Sequence, residues 1–350
     1  MTRLKSLVLG GATAALLATG AVSQAFAEEP ASFQNRLQGA TIGLALGALP
    51  PPGLYTGLET AYLGLASPAG QGKDVGNWAT ATGGRVGLPA VAQAVPLLYV
   101  PGWTFLGATY SMSAVGAGYV FTTCDGLANL ADNACNNIVG GGFVVANPTF
   151  NPINLSWNLH NGWFVSAGFN FMAPIGSHYS YAGYVDPNPD YWTLEPTFAI
   201  SYLANNWVLS ANFFYDFNTS SSGPCCLIGV AGFPNTYQNG DMFYGDLTAL
   251  YKFGKWEVGP VAFFEVQATS DSISGPGSAA LCATFCGNYS NFAVGGLIGY
   301  DFGPVDFQVW VTDVVEAANT PAGTGSLWVW SRLGFRIWGP EAPKPLVAKN

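Results

Sequence analysis

Residues 191–203 read Tyr191-Trp192-Thr193-Leu194-Glu195-Pro196-Thr197-Phe198-Ala199-Ile200-Ser201-Tyr202-Leu203, and Ala204-Asn205-Asn206 follows. Then comes Trp207-Val208-Leu209-Ser210-Ala211-Asn212-Phe213-Phe214-Tyr215-Asp216-Phe217-Asn218. In the second run Trp207, Leu209, Ala211, Phe213, Tyr215 and Phe217 share one parity, and the largely polar Val208, Ser210, Asn212, Phe214, Asp216 and Asn218 share the other. The first run repeats the pattern, with Trp192, Leu194, Phe198, Ile200 and Tyr202 opposite Thr193, Glu195, Thr197 and Ser201. A period of two is the mark of a strand with one apolar and one polar face. Asn205 and Asn206 suit the positive φ of a tight hairpin. Each strand runs to about 12 residues, against roughly 5–6 in soluble sheets. Strands of this length, with aromatics at both ends of the apolar face, suit a transmembrane barrel that turns its apolar parity to lipid and its polar parity to the lumen.

Outward from that hairpin, composition agrees. Of 350 residues only 9% are charged and 14% are aromatic, with 45 Gly; soluble chains carry about 25% charged residues. Beyond the N-terminus no apolar run approaches the roughly 18–20 residues of a spanning helix, which leaves a barrel as the membrane option. The net charge of -9 speaks against nucleic acid or an anionic lipid surface as partner.

Alternation and turn signals predict about twelve strands, near 54–65, 88–100, 103–120, 150–159, 163–174, 191–203, 207–218, 241–253, 256–270, 289–302, 305–317 and 326–338. Short turns such as His160-Asn161-Gly162, Gly254-Lys255 and Gly303-Pro304 alternate with long connections. That alternation matches short periplasmic turns and long outer loops, with both termini in the periplasm. The expected fold is therefore all-β, a single antiparallel transmembrane barrel over residues 53–338.

Residues 1–27 read as a cleaved signal peptide: Arg3 and Lys5 lead an apolar stretch from Leu7 to Ala21, and Ala25-Phe26-Ala27 forms the cleavage site. Export of a β-patterned chain predicts the bacterial outer membrane. Residues 28–52 carry both helical and strand periodicities and end at Pro50-Pro51-Pro52-Gly53; they are an N-terminal extension or a plug inside the barrel. Residues 339–350 form a periplasmic tail.

All six cysteines fall in long connections: Cys124 with Cys135, Cys225 with Cys226, and Cys282 with Cys286. Local disulfides Cys124–Cys135 and Cys282–Cys286 on the oxidising outer side are the simplest pairing. No Cys-x-x-Cys and no companion His suggests a metal, and no cofactor is expected.

If the apolar parity faces lipid, the lumen receives Glu195, Asp216, Asp246, Glu265, Gln267, Gln308, Arg332 and Arg336, together with Trp310, Trp328 and Trp330. These residues either line a solute path or fill a narrow lumen as paired charges. The tryptophans could stack on an aromatic solute. Acids outnumber bases there, so a wet pore would favour cations or neutral solutes. Catalytic chemistry has thin support. His160 lies in a turn, and His178 with Ser180, near Asp186 and Asp190, is the one arrangement a hydrolase could use.

Several segments in order carry a resemblance: Pro50-Pro51-Pro52-Gly53-Leu54-Tyr55, Asn151-Pro152-Ile153-Asn154-Leu155-Ser156-Trp157, Ala173-Pro174-Ile175-Gly176, Asp190-Tyr191-Trp192-Thr193-Leu194-Glu195-Pro196, Tyr237-Gln238-Asn239-Gly240-Asp241, Val258-Gly259-Pro260 and Asn319-Thr320-Pro321-Ala322-Gly323. Together they resemble the transporter-like barrels linked to the meta-cleavage pathway of phenol degradation, over most of the mature chain. The resemblance implies a non-enzymatic outer-membrane protein, inserted by the barrel-assembly machinery, that takes up small hydrophobic or aromatic compounds. It brings no site residues with it. The chain departs from the family by continuing from Gly339 to Asn350, which leaves Trp338 internal. The competing functions are a structural or general-diffusion barrel and, more remotely, a lipid hydrolase.

Overall fold

The computed structural model describes residues 34–65, 90–125, 137–177, 188–221, 236–275, 290–318 and 327–340, with isolated positions between 278 and 288. The strands are β1 Gly53–Leu65, β2 Ala90–Val100, β3 Thr104–Phe105, β4 Ala108–Asp125, β5 Asn137–Val145, β6 Thr149–Asn158, β7 Trp163–Met172, β8 Thr193–Ala204 and β9 Trp207–Asn218. They continue with β10 Ser220–Ser221, β11 Thr236–Gln238, β12 Met242–Phe253, β13 Trp256–Gln267, β14 Ser272–Ser274, β15 Ser290–Asp301, β16 Val305–Ala318 and β17 Leu327–Trp338.

Each long strand pairs antiparallel with its neighbour in sequence, and β1 closes the cylinder on β17. Among the described residues the wall has twelve strand positions, as the alternation predicted; no described helix is long and apolar enough to cross a membrane. Two details escape a reading by parity. The turn expected at Pro101-Gly102 carries a small hairpin, β3 on the start of β4. The fourth wall position is shared, because β5 pairs the outer half of β4 and β6 the inner half.

Parity decides the faces. Along β9 the residues Val208, Ser210, Asn212, Phe214 and Asp216 are buried, whereas Trp207 and Phe217 are exposed. Exposed aliphatic and aromatic side chains cover the outside of the cylinder, as hydrocarbon requires. At the short-turn end, Trp163 meets Tyr202 at 4.9 Å, Trp207 meets Tyr251 at 5.1 Å and Trp256 meets Tyr300 at 4.6 Å. Each is a directly opposed cross-strand pair, and together they form an aromatic girdle at the periplasmic interface. The hairpin between β8 and β9 turns on Asn205 and Asn206, with φ of 54° and 65°. Asn tolerates that left-handed region better than most side chains.

Above the outer rim, β10, β11 and β14 form a separate three-stranded sheet. The Cys282–Cys286 disulfide is formed and packs on Tyr237 and Ile273 of that sheet. The side chain of Cys124 and the whole of Cys135, Cys225 and Cys226 lie outside the described residues. So do His178, Ser180 and Asp186, the expected signal peptide at 1–27, and all but Gly339 and Pro340 of the expected tail.

Candidate solute path

The lumen is built from the parity that carries the polar side chains. Glu195, Asp216, Asp246, Glu265, Gln267 and Arg332 are all buried there, and so are Trp310, Trp328 and Trp330. What they face is the chain's own N-terminal segment. Residues 34–52 are neither helix nor strand; they descend from the outer half of the barrel to its periplasmic mouth as a series of turns.

At the outer end Asn35 donates to Thr193 Oγ1 at 2.7 Å, and the Tyr244 hydroxyl donates to Gln34. Arg36 Nη1 reaches both oxygens of Glu195, at 3.0 and 2.9 Å, with its guanidinium over the Phe214 ring. Asn170 also donates to Glu195. Asp216 touches Glu195 and Tyr244. Asp246 accepts the Gly39 amide at 3.1 Å and the Thr41 amide at 2.9 Å. Lower down, the Gly43 amide donates to Thr248 Oγ1 at 2.9 Å and the Gly47 amide to Ser201 Oγ at 3.0 Å.

On the opposite wall Arg332 is the anchor. Its Nε donates to Glu59 at 2.6 Å, and Nη1 donates to the Ile42 carbonyl at 2.6 Å and to Gln308 at 2.9 Å. Nη2 donates to the Ala40 carbonyl at 2.5 Å. The guanidinium also lies 4.7 Å from the Trp310 ring, which stacks on Trp330 at 5.3 Å. Glu265 accepts from Asn291, which also binds Gln38. Ile42 is fully buried among Phe263, Trp310, Trp328 and Trp330.

The residues expected in the lumen are therefore spread along the segment. Glu195, Asp216 and Asp246 lie on its outer half, Arg332 and Gln308 lie opposite its middle, and Gln267 reaches the outer sheet through Asp271 at 2.6 Å. Arg336 belongs to the periplasmic mouth, where it donates to the Pro52 carbonyl at 2.6 Å. The acidic excess is not displayed to solute: Glu195 and Glu59 are ion-paired at 2.9 and 2.6 Å, and Asp246 is capped by backbone amides. Sequence reading missed Asn35, Arg36, Glu59 and the three glycines of the segment. Gly39, Gly43 and Gly47 recur every fourth residue, and that spacing was the available signal. A Cβ at Gly43 would lie 2.7 Å from Gln308 Oε1, and one at Gly47 2.8 Å from the Ser201 amide nitrogen.

A cavity of about 910 Å³ remains between the segment and the wall of β1, β2, β4, β6 and β7. It runs from Tyr119 and Ala146 near the outer end to Lys252 and Arg336 at the periplasmic mouth. Its middle is lined by Ala92, Ala94, Ser113, Ala117, Leu37 and Trp330 together with the ion-paired Glu59 and Arg332. Outside the membrane-spanning strands, Asp271 is buried under the outer sheet, and burial pushes its carboxyl up to about 6 against the bonds from Gly240 and Gln267.

A closed barrel with an apolar exterior, an aromatic girdle and an occupied lumen defines a β-barrel of the outer-membrane type. Residues 69–329 match the family described as Putative MetA-pathway of phenol degradation, and the chain belongs to that family. Its fold superposes on an outer membrane channel from Pseudomonas putida F1 with a TM-score of 0.60 at 12% identity, covering 82% of this chain and 96% of that one. The toluene transporter TbuX of Ralstonia pickettii gives a TM-score of 0.43 at 12% identity, over 90% and 99% of the two chains, too distant to bear on this one. A search of curated protein sequences finds no match.

Proposed function

We propose that this barrel admits small hydrophobic or aromatic molecules across the outer membrane by passive diffusion, through the cavity beside its N-terminal segment. The observation that carries the reading is the chemistry of that cavity: it extends from Tyr119 to the periplasmic mouth beside alanine, serine and tryptophan side chains, while Glu195, Glu59 and Asp246 are committed to Arg36, Arg332 and backbone amides. Above the charged periplasmic mouth, an ion in such a path would shed water and meet carboxylates that are already paired. A planar apolar solute would lose little and gain contact with Trp330. In this reading residues 34–52 act as a plug that leaves a narrow seamless route, and Glu195, Asp246, Gln308 and Arg332 hold the plug instead of selecting solute.

A second reading has its own support, because the density of hydrogen bonds from 34–52 to the wall also suits a sealed structural barrel. Liposome swelling with sugars and amino acids, set beside uptake of a mono-aromatic probe such as cresol, separates the two. The proposal expects slow or no swelling and measurable cresol uptake. No flux of either solute would leave the structural barrel standing.

A further inference from the structure

Strand β6 carries one residue more than its neighbours match. Against β7, Phe150 faces Phe171 and Ile153 faces Phe169, so Asn151 and Pro152 together stand opposite Asn170 alone. Against β4, Asn151 faces Ser113 and Asn154 faces Ser111, so Pro152 and Ile153 stand opposite Met112 alone. Pro152 is common to both, and it is the extra member of a β-bulge. It has no N–H to leave unpaired, and its carbonyl accepts the Tyr110 hydroxyl at 2.6 Å on the side away from the lumen. Counted back from Trp157, Leu155 and Ile153, strict alternation would turn Asn151 to lipid. The bulge turns it inward, where it lines the cavity and bonds Asn170.

A relay of bonds then fixes which way the Asn151 amide points. Glu195, paired with Arg36, is a carboxylate and can only accept. Asn170 therefore gives Glu195 its Nδ2 and turns its Oδ1 toward Asn151. Asn151 meets that oxygen with its own Nδ2 at 2.5 Å. The Asn151 Oδ1 is left enclosed, with no donor among the described residues. A buried acceptor in this state costs free energy until a donor reaches it. The wall around it is polar and uncharged, with Ser113, Asn154 and Thr197 lining the cavity, whereas Leu37 and Ala94 give other parts of the lining an apolar surface.

We propose that Asn151 is a specificity-determining residue of the passage, its Oδ1 taking the O–H of a hydroxylated but otherwise apolar solute such as a phenol or an aryl alcohol. This rests on the uptake reading above. A hydrocarbon of the same size fills the same space and leaves the acceptor bare. An aryl ether brings an oxygen without a proton, and would set one acceptor against another. The discrimination is therefore for the donor, not for polarity in general.

The test compares p-cresol with 4-methylanisole, which share a ring and a methyl group and differ by methylation of the hydroxyl. Uptake is measured in cells with a lipopolysaccharide-bearing outer membrane, and the rate of barrel-free cells is subtracted. The wild-type barrel is expected to admit cresol about three- to tenfold faster than the ether, the worth of one neutral hydrogen bond. Asn151→Leu, similar in shape but without the acceptor, is expected to remove that preference, and entry of the ether above background reports that the variant barrel is assembled. A preference retained in the variant would overturn the assignment. Equal rates for the two solutes through the wild type would also overturn it, leaving Oδ1 to a water molecule and the uptake reading intact. No gain for either solute would overturn both. A second measurement needs no variant: excess unlabelled cresol is expected to slow the entry of labelled cresol through the wild type, and the same excess of the ether is not. Equal slowing by the two counts against a donor site.

Discussion

Arg332 shows how one side chain couples wall and lumen. It is buried, pairs with Glu59 at 2.6 Å, and holds two carbonyls of the N-terminal segment. Removing one partner of a buried ion pair costs about 3–5 kcal/mol, because the survivor keeps its charge without compensation. Arg332→Ala is therefore expected to lower the thermal midpoint in detergent and to raise ionic conductance, as Ala40 and Ile42 lose their tether. An unchanged conductance trace would show that the segment is held elsewhere. Asp271 supplies a pH dependence at the same scale. Its folded value near 6 stands above the ordinary 3.8 because burial disfavours the ionised form. The outer sheet is thus most stable below the unfolded value and loses up to about 3 kcal/mol as pH rises through 6. Asp271→Asn keeps an acceptor for the Gly240 and Gln267 donors and removes the titration. Protection factors at β11 and β14, which remove the intrinsic pH dependence of amide exchange, are expected to fall between about pH 4 and 7 in the wild type and to stay flat in the variant. Equal pH profiles would count against the assignment.

At the scale of elements, the strands were readable because each states its own faces. From Trp207 to Asn218 only Val208 and Phe214 put apolar side chains on the polar parity, and the structure buries that parity while leaving the other half-buried or exposed. The acids and arginines were assigned to the inside on the same ground, and Glu195, Asp246, Glu265 and Arg332 are buried there. The N-terminal segment was not readable in the same way. Its shape comes from bonds to residues more than 150 positions away, such as Arg36 to Glu195 and Gly43 to Thr248, and no local period encodes them. The competing helical and strand periodicities there were both overruled by these contacts. Gly39 and Gly43 sit at φ of 73° and 81°, where a side chain strains the backbone by about 1 kcal/mol or more. Gly43→Ala adds a contact at 2.7 Å with Gln308. It is expected to loosen the segment and raise small-ion conductance without unfolding the barrel, whose wall hydrogen bonds it does not touch. Conductance equal to the wild type, with the same heat stability, would mean that the segment shifts to accommodate the methyl group.

At the scale of the whole molecule, twelve strand positions enclose a lumen only slightly wider than its filling. Arg36, Arg332 and backbone amides engage Glu195, Glu59 and Asp246, so part of the acidic excess in the sequence is compensated inside the lumen. The expectation that acids would favour cations treated the lumen as open water, whereas the segment of 34–52 occupies it. The most direct measurement is uptake of labelled cresol, next to a sugar of similar size, by cells with a lipopolysaccharide-bearing outer membrane, with and without this barrel. The account predicts faster entry of cresol and no change for the sugar. Faster entry of the sugar with no gain for cresol would contradict it.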